Sequence, residues 1–255
     1  MSSMRVLAID TTSECGGAAI YDQDQCLATA LNEGSASGYA VTLFGLVDRA
    51  LAQAGIGFPD IDLYAVSNGP GSFTGIRVGL AAAQGWARAF ARPLKGVTLF
   101  EAMVEHALPD ADWAVPLLDA RRGEFFVGLY RRMLGVDGQM DTFEAAGEGQ
   151  LVRPERLQSL LDALGRGGQC RTFRAGTIAC LTRSHDLKAR SLRESLSLDL
   201  AAVDVSGALL EAIAKVAVRA HRQGAVSSPE ELDACYIRRT DAEMNWRPSA
   251  KKVGP

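Results

Sequence analysis

Apolar and polar positions alternate in short blocks at the start of the chain. Residues 5–11 form an apolar run ending in Asp10-Thr11-Thr12, and two further runs, 18–21 and 26–31, follow turns that hold Gly16-Gly17 and Asp22-Gln23-Asp24. Apolar runs of this length between turn residues predict a three-stranded meander. Over residues 39–54 the period becomes helical. Val41, Phe44, Val47 and Leu51 share one stripe, and Tyr39, Leu43, Leu46 and Ala50 share another. A helix apolar on two faces is covered on both, by its own core or by another chain. Gly55 and Gly57 stop that helix, a strand follows over 61–66, then a glycine-rich loop over 67–75 and an alanine-rich helix over 76–91 closed by Pro93.

The second half begins in the same way. Residues 113–118 predict a strand that again ends in aspartate, Asp119, and a turn with Gly123 leads to a strand over 125–130 and another over 139–143. Asp10 and Asp119 therefore hold equivalent places in two meanders, the pattern of an internal duplication. Helices are predicted over 154–164 and 205–223. The stretch 165–200 has no clear period, and the polar, basic end 245–255 reads as a disordered tail.

Composition narrows the classes. Of 255 residues 47% are hydrophobic and 22% charged, the balance of a globular protein, and 27 Lys and Arg against 30 Asp and Glu give a net charge of -3. Bulk charge thus disfavours free-standing nucleic-acid binding. The start has no secretory pattern and no stretch is apolar enough for a membrane span, so a cytoplasmic location without membrane association is expected. Five cysteines without a C-x-x-C spacing and three widely separated histidines argue against a zinc site, so no metal is expected on this chain.

Candidate chemistry centres on three loops. Residues 68–77, Asn-Gly-Pro-Gly-Ser-Phe-Thr-Gly-Ile-Arg, lie between a strand and a helix, where free N–H groups and the helix dipole favour an anion. Their spacing matches neither G-x-G-x-x-G, nor Walker A, nor the nucleophile elbow. The alternative is a glycine loop needed for close strand–helix packing. Asp10-Thr11-Thr12 offers a carboxylate beside two hydroxyls, suited to hydrated Mg²⁺ or to a turn in which these side chains bond their own backbone. Asp119 with Arg121-Arg122 carries the same ambiguity.

Two Asp loops and a glycine loop on duplicated meanders resemble the actin, sugar kinase and Hsp70 (ASKHA) architecture. Leu7-Ala8-Ile9-Asp10-Thr11-Thr12, residues 69–79 and Asp119-Ala120-Arg121-Arg122-Gly123-Glu124, with Tyr236-Ile237-Arg238 as a weaker match, are similar to the TsaB (YeaZ) family of bacterial tRNA threonylcarbamoyladenosine biosynthesis. The resemblance implies an α/β fold of two related lobes, residues 1–108 and 109–244, each a meander sheet with flanking helices, followed by a tail, 245–255. It implies a non-catalytic scaffold that pairs with a TsaD-like catalytic subunit, is joined by a TsaE-like ATPase, and meets tRNA through the assembled complex. ATP and metal then belong to the partners, and none is expected on this chain alone. On this reading Asp10, Thr11, Thr12, Gly69, Gly71, Ser72, Gly75, Arg77, Asp119 and Arg121 are vestigial phosphate-loop positions. Tyr39, Leu43, Leu46, Ala50, Gly79, Ala82 and Ala83 form the partner interface, or a homodimer interface when the chain is alone. Arg238 and Arg239 are candidate tRNA contacts. The rival readings are an ATPase or kinase using Asp10 and Asp119, and a glycoprotease-like peptidase.

Overall fold

The computed structural model describes residues 3–33, 38–135, 141–166 and 177–237, with the side chains of 165 and 166 left aside. The first meander is β1 (Arg5–Asp10), β2 (Gly17–Asp22) and β3 (Gln25–Leu31), followed by α1 (Tyr39–Ala54), β4 (Leu63–Ser67), α2 (Phe73–Ala89), β5 (Leu94–Val97) and α3 (Leu99–Ala107). The second half runs through β6 (Trp113–Asp119), β7 (Phe125–Val127), β8 (Tyr130–Met133), β9 (Thr142–Ala145), β10 (Gln150–Val152) and α4 (Pro154–Arg166). It ends with β11 (Ile178–Arg183), α5 (Leu187–Ser195), β12 (Leu200–Val205) and α6 (Leu210–Arg222).

The two sheets repeat one pairing scheme. The first has the order β3-β2-β1-β4-β5, and the second β10-β7-β6-β11-β12, with β8 attached to β6 and β9 to β8. In each, the strand carrying the aspartate pairs antiparallel with the next strand (β1 with β2, β6 with β7) and parallel with a later one (β1 with β4, β6 with β11). Parallel neighbours require crossover helices, and these cover the sheet faces.

Alternation along β1 divides the core. Leu7 and Ile9 pack with Leu43, Leu46, Val47, Ile76 and Ala83 of α1 and α2. Val6 and Ala8 face the opposite way, toward Met103 of α3 and Ile213 and Ala217 of α6. That same cluster takes in Ala114 and Leu118 of β6 and Ala179 and Leu181 of β11, so α3 and α6 form a central apolar layer between the sheets. The outer face of the second sheet, with Val115 and Leu117, is covered by Leu157 and Leu161 of α4 and Ala189 of α5. Five layers result, helix–sheet–helix–sheet–helix. No described helix is long and apolar enough to cross a membrane.

Several sequence expectations are corrected. The predicted strand over 125–130 breaks at Gly128, where a Cβ would lie 3.0 Å from the Phe100 ring. The expected helix over 205–223 begins only at Leu210, because β12 occupies Leu200–Val205 and Gly207 turns the chain with φ +70°. Residues 139 and 140 of the strand expected over 139–143 lie outside the described residues, as does the tail.

The second stripe of α1 also needs correction as an interface. Tyr39, Leu43, Leu46 and Ala50 are buried by the chain's own first sheet, whereas Val41 and Phe44 are 86% and 57% exposed. The stripes mix because a 16-residue helix lying on a sheet buries more than a third of its circumference. Gly79 and Ala83 are likewise buried and Ala82 half-buried. Leu43→Ala is expected to cost about 2–5 kcal/mol in urea denaturation, and Val41→Ala less than about 0.5 kcal/mol. Equal losses at the two positions would refute this placement of α1.

Candidate functional site

The Asp10–Thr12 segment leaves β1 and runs directly over the first turns of α2. The contact is close because Gly71, Gly75 and Gly79 lie beneath it. A Cβ at Gly71 would lie 2.6 Å from the Thr12 carbonyl oxygen, one at Gly75 would overlap the Thr11 carbonyl, and one at Gly79 would overlap Thr11 Oγ1. Hydrogen bonds fill the remaining space. Thr11 Oγ1 donates to the Gly75 carbonyl (2.8 Å), and the Ser72 N–H donates to the Thr12 carbonyl (2.8 Å). Ser72 also caps α2, its Oγ accepting from the Gly75 N–H at 3.3 Å. The glycine loop is therefore a seat for the chain's own turn, the packing alternative left open by its spacing.

Asp10 is 1% exposed, and its Oδ1 accepts from the Thr12 N–H (2.9 Å) and from Thr12 Oγ1 (2.6 Å). Asp119 makes the equivalent turn, with Oδ1 accepting from the Arg121 N–H at 2.8 Å. The same aspartate-to-(i+2) bond at the end of β1 and of β6 carries the internal duplication down to single atoms. Around Asp119 the chain supplies further partners: its N–H donates to Asp186 Oδ2 (2.7 Å), and Lys188 Nζ lies 3.3 Å from Oδ2. Arg121 and Arg122 follow with φ of +63° and +56°.

Two contacts that the sequence did not signal fix this region. Tyr39 is buried, and its hydroxyl donates to the Ser13 carbonyl at 3.0 Å, so α1 holds the β1–β2 turn from behind. Burial and the Asp10 carboxylate both raise its pKa, so it stays neutral. Arg183, at the end of β11, is 2% exposed and within electrostatic reach of Asp10. Burial lowers its pKa, opposed by Asp10 and Cys15. Its signal in sequence is a charge closing the apolar run of 178–182, just as aspartates close β1 and β6.

These contacts test the nucleotide and Mg²⁺ that the architecture implies. A hydrated Mg²⁺ needs a carboxylate free to face it. Asp10 spends Oδ1 on the Thr12 N–H and hydroxyl, and the buried Arg183 guanidinium already supplies positive charge nearby, so this carboxylate is a poor fit to that ion. Nor do the described residues include any group of three or more His, Cys, Asp or Glu arranged to hold a metal.

Gly69 and Arg77 belong to a different contact. Segment 230–237 returns along α2, with the Cys235 N–H donating to the Asn68 carbonyl (2.8 Å) and Gln84 Nε2 to the carbonyls of Pro229 (2.9 Å) and Leu232 (2.8 Å). Arg77 Cζ sits 3.8 Å from the Phe73 ring centroid while its Nε donates to Tyr236 Oη at 2.9 Å, a cation–π tie that pins this segment. Arg238 and Arg239 lie outside the described residues.

Three comparisons bear on this arrangement. The family model for TsaD, tRNA N6-adenosine threonylcarbamoyltransferase, matches residues 33–222. The chain is 31% identical over 182 residues to the tRNA threonylcarbamoyladenosine biosynthesis protein TsaB of Haemophilus influenzae, covering 69% of this chain and 73% of that one. It is 31% identical over 159 residues to the Escherichia coli protein of the same name, covering 62% and 68%. The structure of YeaZ from Pseudomonas aeruginosa superposes with a TM-score of 0.69 at 22% identity, covering 91% of this chain and 99% of that one, which bears on fold alone.

Gly79→Ala is expected to destabilise by about 1–3 kcal/mol through overpacking against Thr11. Thr11→Ala removes the clashing hydroxyl, so the double variant should lose less than the sum of the single losses. Strict additivity in denaturant melts would show that the seat is not made by this pair.

Proposed function

The chain belongs to the TsaB family and takes part in tRNA threonylcarbamoyladenosine biosynthesis, and from that premise we propose that it acts there as a non-catalytic scaffold paired with a TsaD-type catalytic subunit. One observation carries the proposal: the place where a phosphate-binding loop would meet its ligand is filled by Thr11 and Thr12 of the chain itself. Phosphoryl transfer depends on positioning and on metal-assisted charge stabilisation. A seat occupied by backbone, and an Asp10 turned to Thr12, offer neither. Histidine-assisted chemistry has no basis in paired side chains either, because His106, His185 and His221 lie on three separate elements.

Pairing has a surface to work with. Val41, Phe44 and Gly45 stand outward on α1, and Gly85 stands outward on α2. Phe44 is held in place edge-on by Trp86 at 5.4 Å, and Trp86 in turn meets Phe58 at 5.1 Å. A Cβ at Gly45 or Gly85 would meet nothing within 4 Å, so both helices present open backbone that lets another helix approach closely. This face replaces Tyr39, Leu43, Leu46 and Ala50 as the proposed contact with the catalytic subunit, or with a second copy when the chain is alone. A TsaE-like ATPase and tRNA join through the assembled complex, which supplies the ATP and metal chemistry.

The purified chain is expected to show no ATP turnover above background. Val41→Glu with Phe44→Glu should abolish co-purification with the catalytic subunit and tRNA product in a reconstituted reaction, while the melting temperature changes by less than about 2 °C. Unchanged pairing and product would sink the proposed surface, and ATP hydrolysis lost in Asp10→Ala would favour the ATPase reading.

A further inference from the structure

Three side chains that scaffolding leaves unused converge where the β1–β2 turn meets the turn after β11. Cys15, in the first turn, is partly exposed. His185, in the second, is solvent-reachable and places Nδ1 3.7 Å from Cys15 Sγ. Arg183 lies beneath them: its Nη2 donates to the Gly207 carbonyl at 2.6 Å, but Nε and Nη1 are buried without a hydrogen-bond partner. Cys15 lies close enough to Arg183 to oppose the burial of that guanidinium. A buried cation with unspent N–H groups offers the sulfur a charge-assisted partner once its proton has left.

The imidazole completes the set. Partial burial and the Arg183 charge lower the His185 pKa from 6.5, opposed by the carboxylates of Asp186 and Glu14. At pH 7 the ring is therefore neutral, and in the tautomer protonated on Nε2 it accepts the Cys15 proton at Nδ1.

We propose that Cys15 is a site of reversible modification by low-molecular-weight disulfides, with His185 as proton acceptor and Arg183 as the stabilising cation. The Cys15 sulfur attacks one sulfur of the disulfide, a new S–S bond forms and the reagent's own S–S bond breaks. The departing thiolate takes the proton held by His185. One thiol and one disulfide become a mixed disulfide on Cys15 and one free thiol, the reagent being the oxidant. The adduct displaces the Cys15–His185 contact and so acts on the junction between the lobes.

The chain carries its own controls. Cys26 is the more exposed thiol, but its sulfur meets Thr29 Oγ1 (3.2 Å) and the Ala28 carbonyl (3.8 Å). Cys180 is fully buried, which pushes its pKa up to about 12, and burial also raises Cys235. Exposure alone would make Cys26 react first. The full-length, reduced protein is incubated with oxidised glutathione at pH 7, and mixed disulfides are quantified at each cysteine by peptide mass spectrometry. Cys15 is expected to react at least about tenfold faster than Cys26. His185→Gln should slow Cys15 about tenfold and Arg183→Lys should slow it less, with Cys26 unchanged in both. Cys26 reacting as fast as Cys15, or a Cys15 rate indifferent to His185→Gln in a protein with unaltered circular dichroism, would overturn the proposal.

Discussion

Most of the first lobe depends on the absence of three side chains. Gly71, Gly75 and Gly79 let the backbone of Thr11 and Thr12 lie against α2, and a methyl group at any of them would collide with that turn. The contact fixes the end of β1 relative to α2, and β1 is the strand from which both neighbours of the first sheet are registered. Tyr39 adds a third point by bonding Ser13 from α1. Strand, loop and both outer helices are thus joined at one place. Glycine has a conformational cost in a helix, roughly 1 kcal/mol per residue relative to alanine. Two of the three lie inside α2 and bear that cost, which the packing and hydrogen bonds of the turn offset.

The same loops satisfy their polar ends from within the chain. In both meanders the terminal aspartate turns to an N–H two residues on, Asp10 to Thr12 and Asp119 to Arg121. Carboxylates taken out of water need partners, and here the chain provides them: the Thr12 N–H and Oγ1 at Asp10, and the Arg121 N–H with Lys188 Nζ at Asp119. Arg183 supplies the long-range positive charge near Asp10. The duplicated frame survives while its polar ends are satisfied internally.

The sequence made the first lobe far more legible than the second, for local reasons. Strands β1 to β3 are bounded by turn residues, and the stop signals at Gly55 and Pro93 are unambiguous. Segment 165–200 failed because β11 is buried on both faces and so has no alternation, while α5 is a short, mostly polar helix capped by Asp186. Asp10, Asp119 and the glycine loop were visible as motifs, but their partners were not. Arg183 and Cys15 are separated by more than 160 residues, and only the fold brings them together. The division of α1 into outward and inward stripes failed for a different reason. Val41 and Phe44 obey the same helical period as Val47 and Leu51, and periodicity does not tell which apolar residue the sheet covers.

Hinging of two packed sheets against each other requires few contacts across the divide. Here the central layer opposes it. Ala8 of the first sheet and Leu181 of the second belong to one buried cluster bridged by Met103, Ile213 and Ala217. Separating the sheets would expose that cluster at about 25 cal/mol for each Å² of apolar surface. A chain that keeps its lobes together by apolar packing gains a fixed frame for α1 and α2. Val41 and Phe44 then stand at a set angle on a rigid support, which would reduce the ordering cost of the pairing proposed above. Any movement between the sheets would move the first sheet, on which that face rests, so the apolar layer that holds the sheets together also holds the face in place.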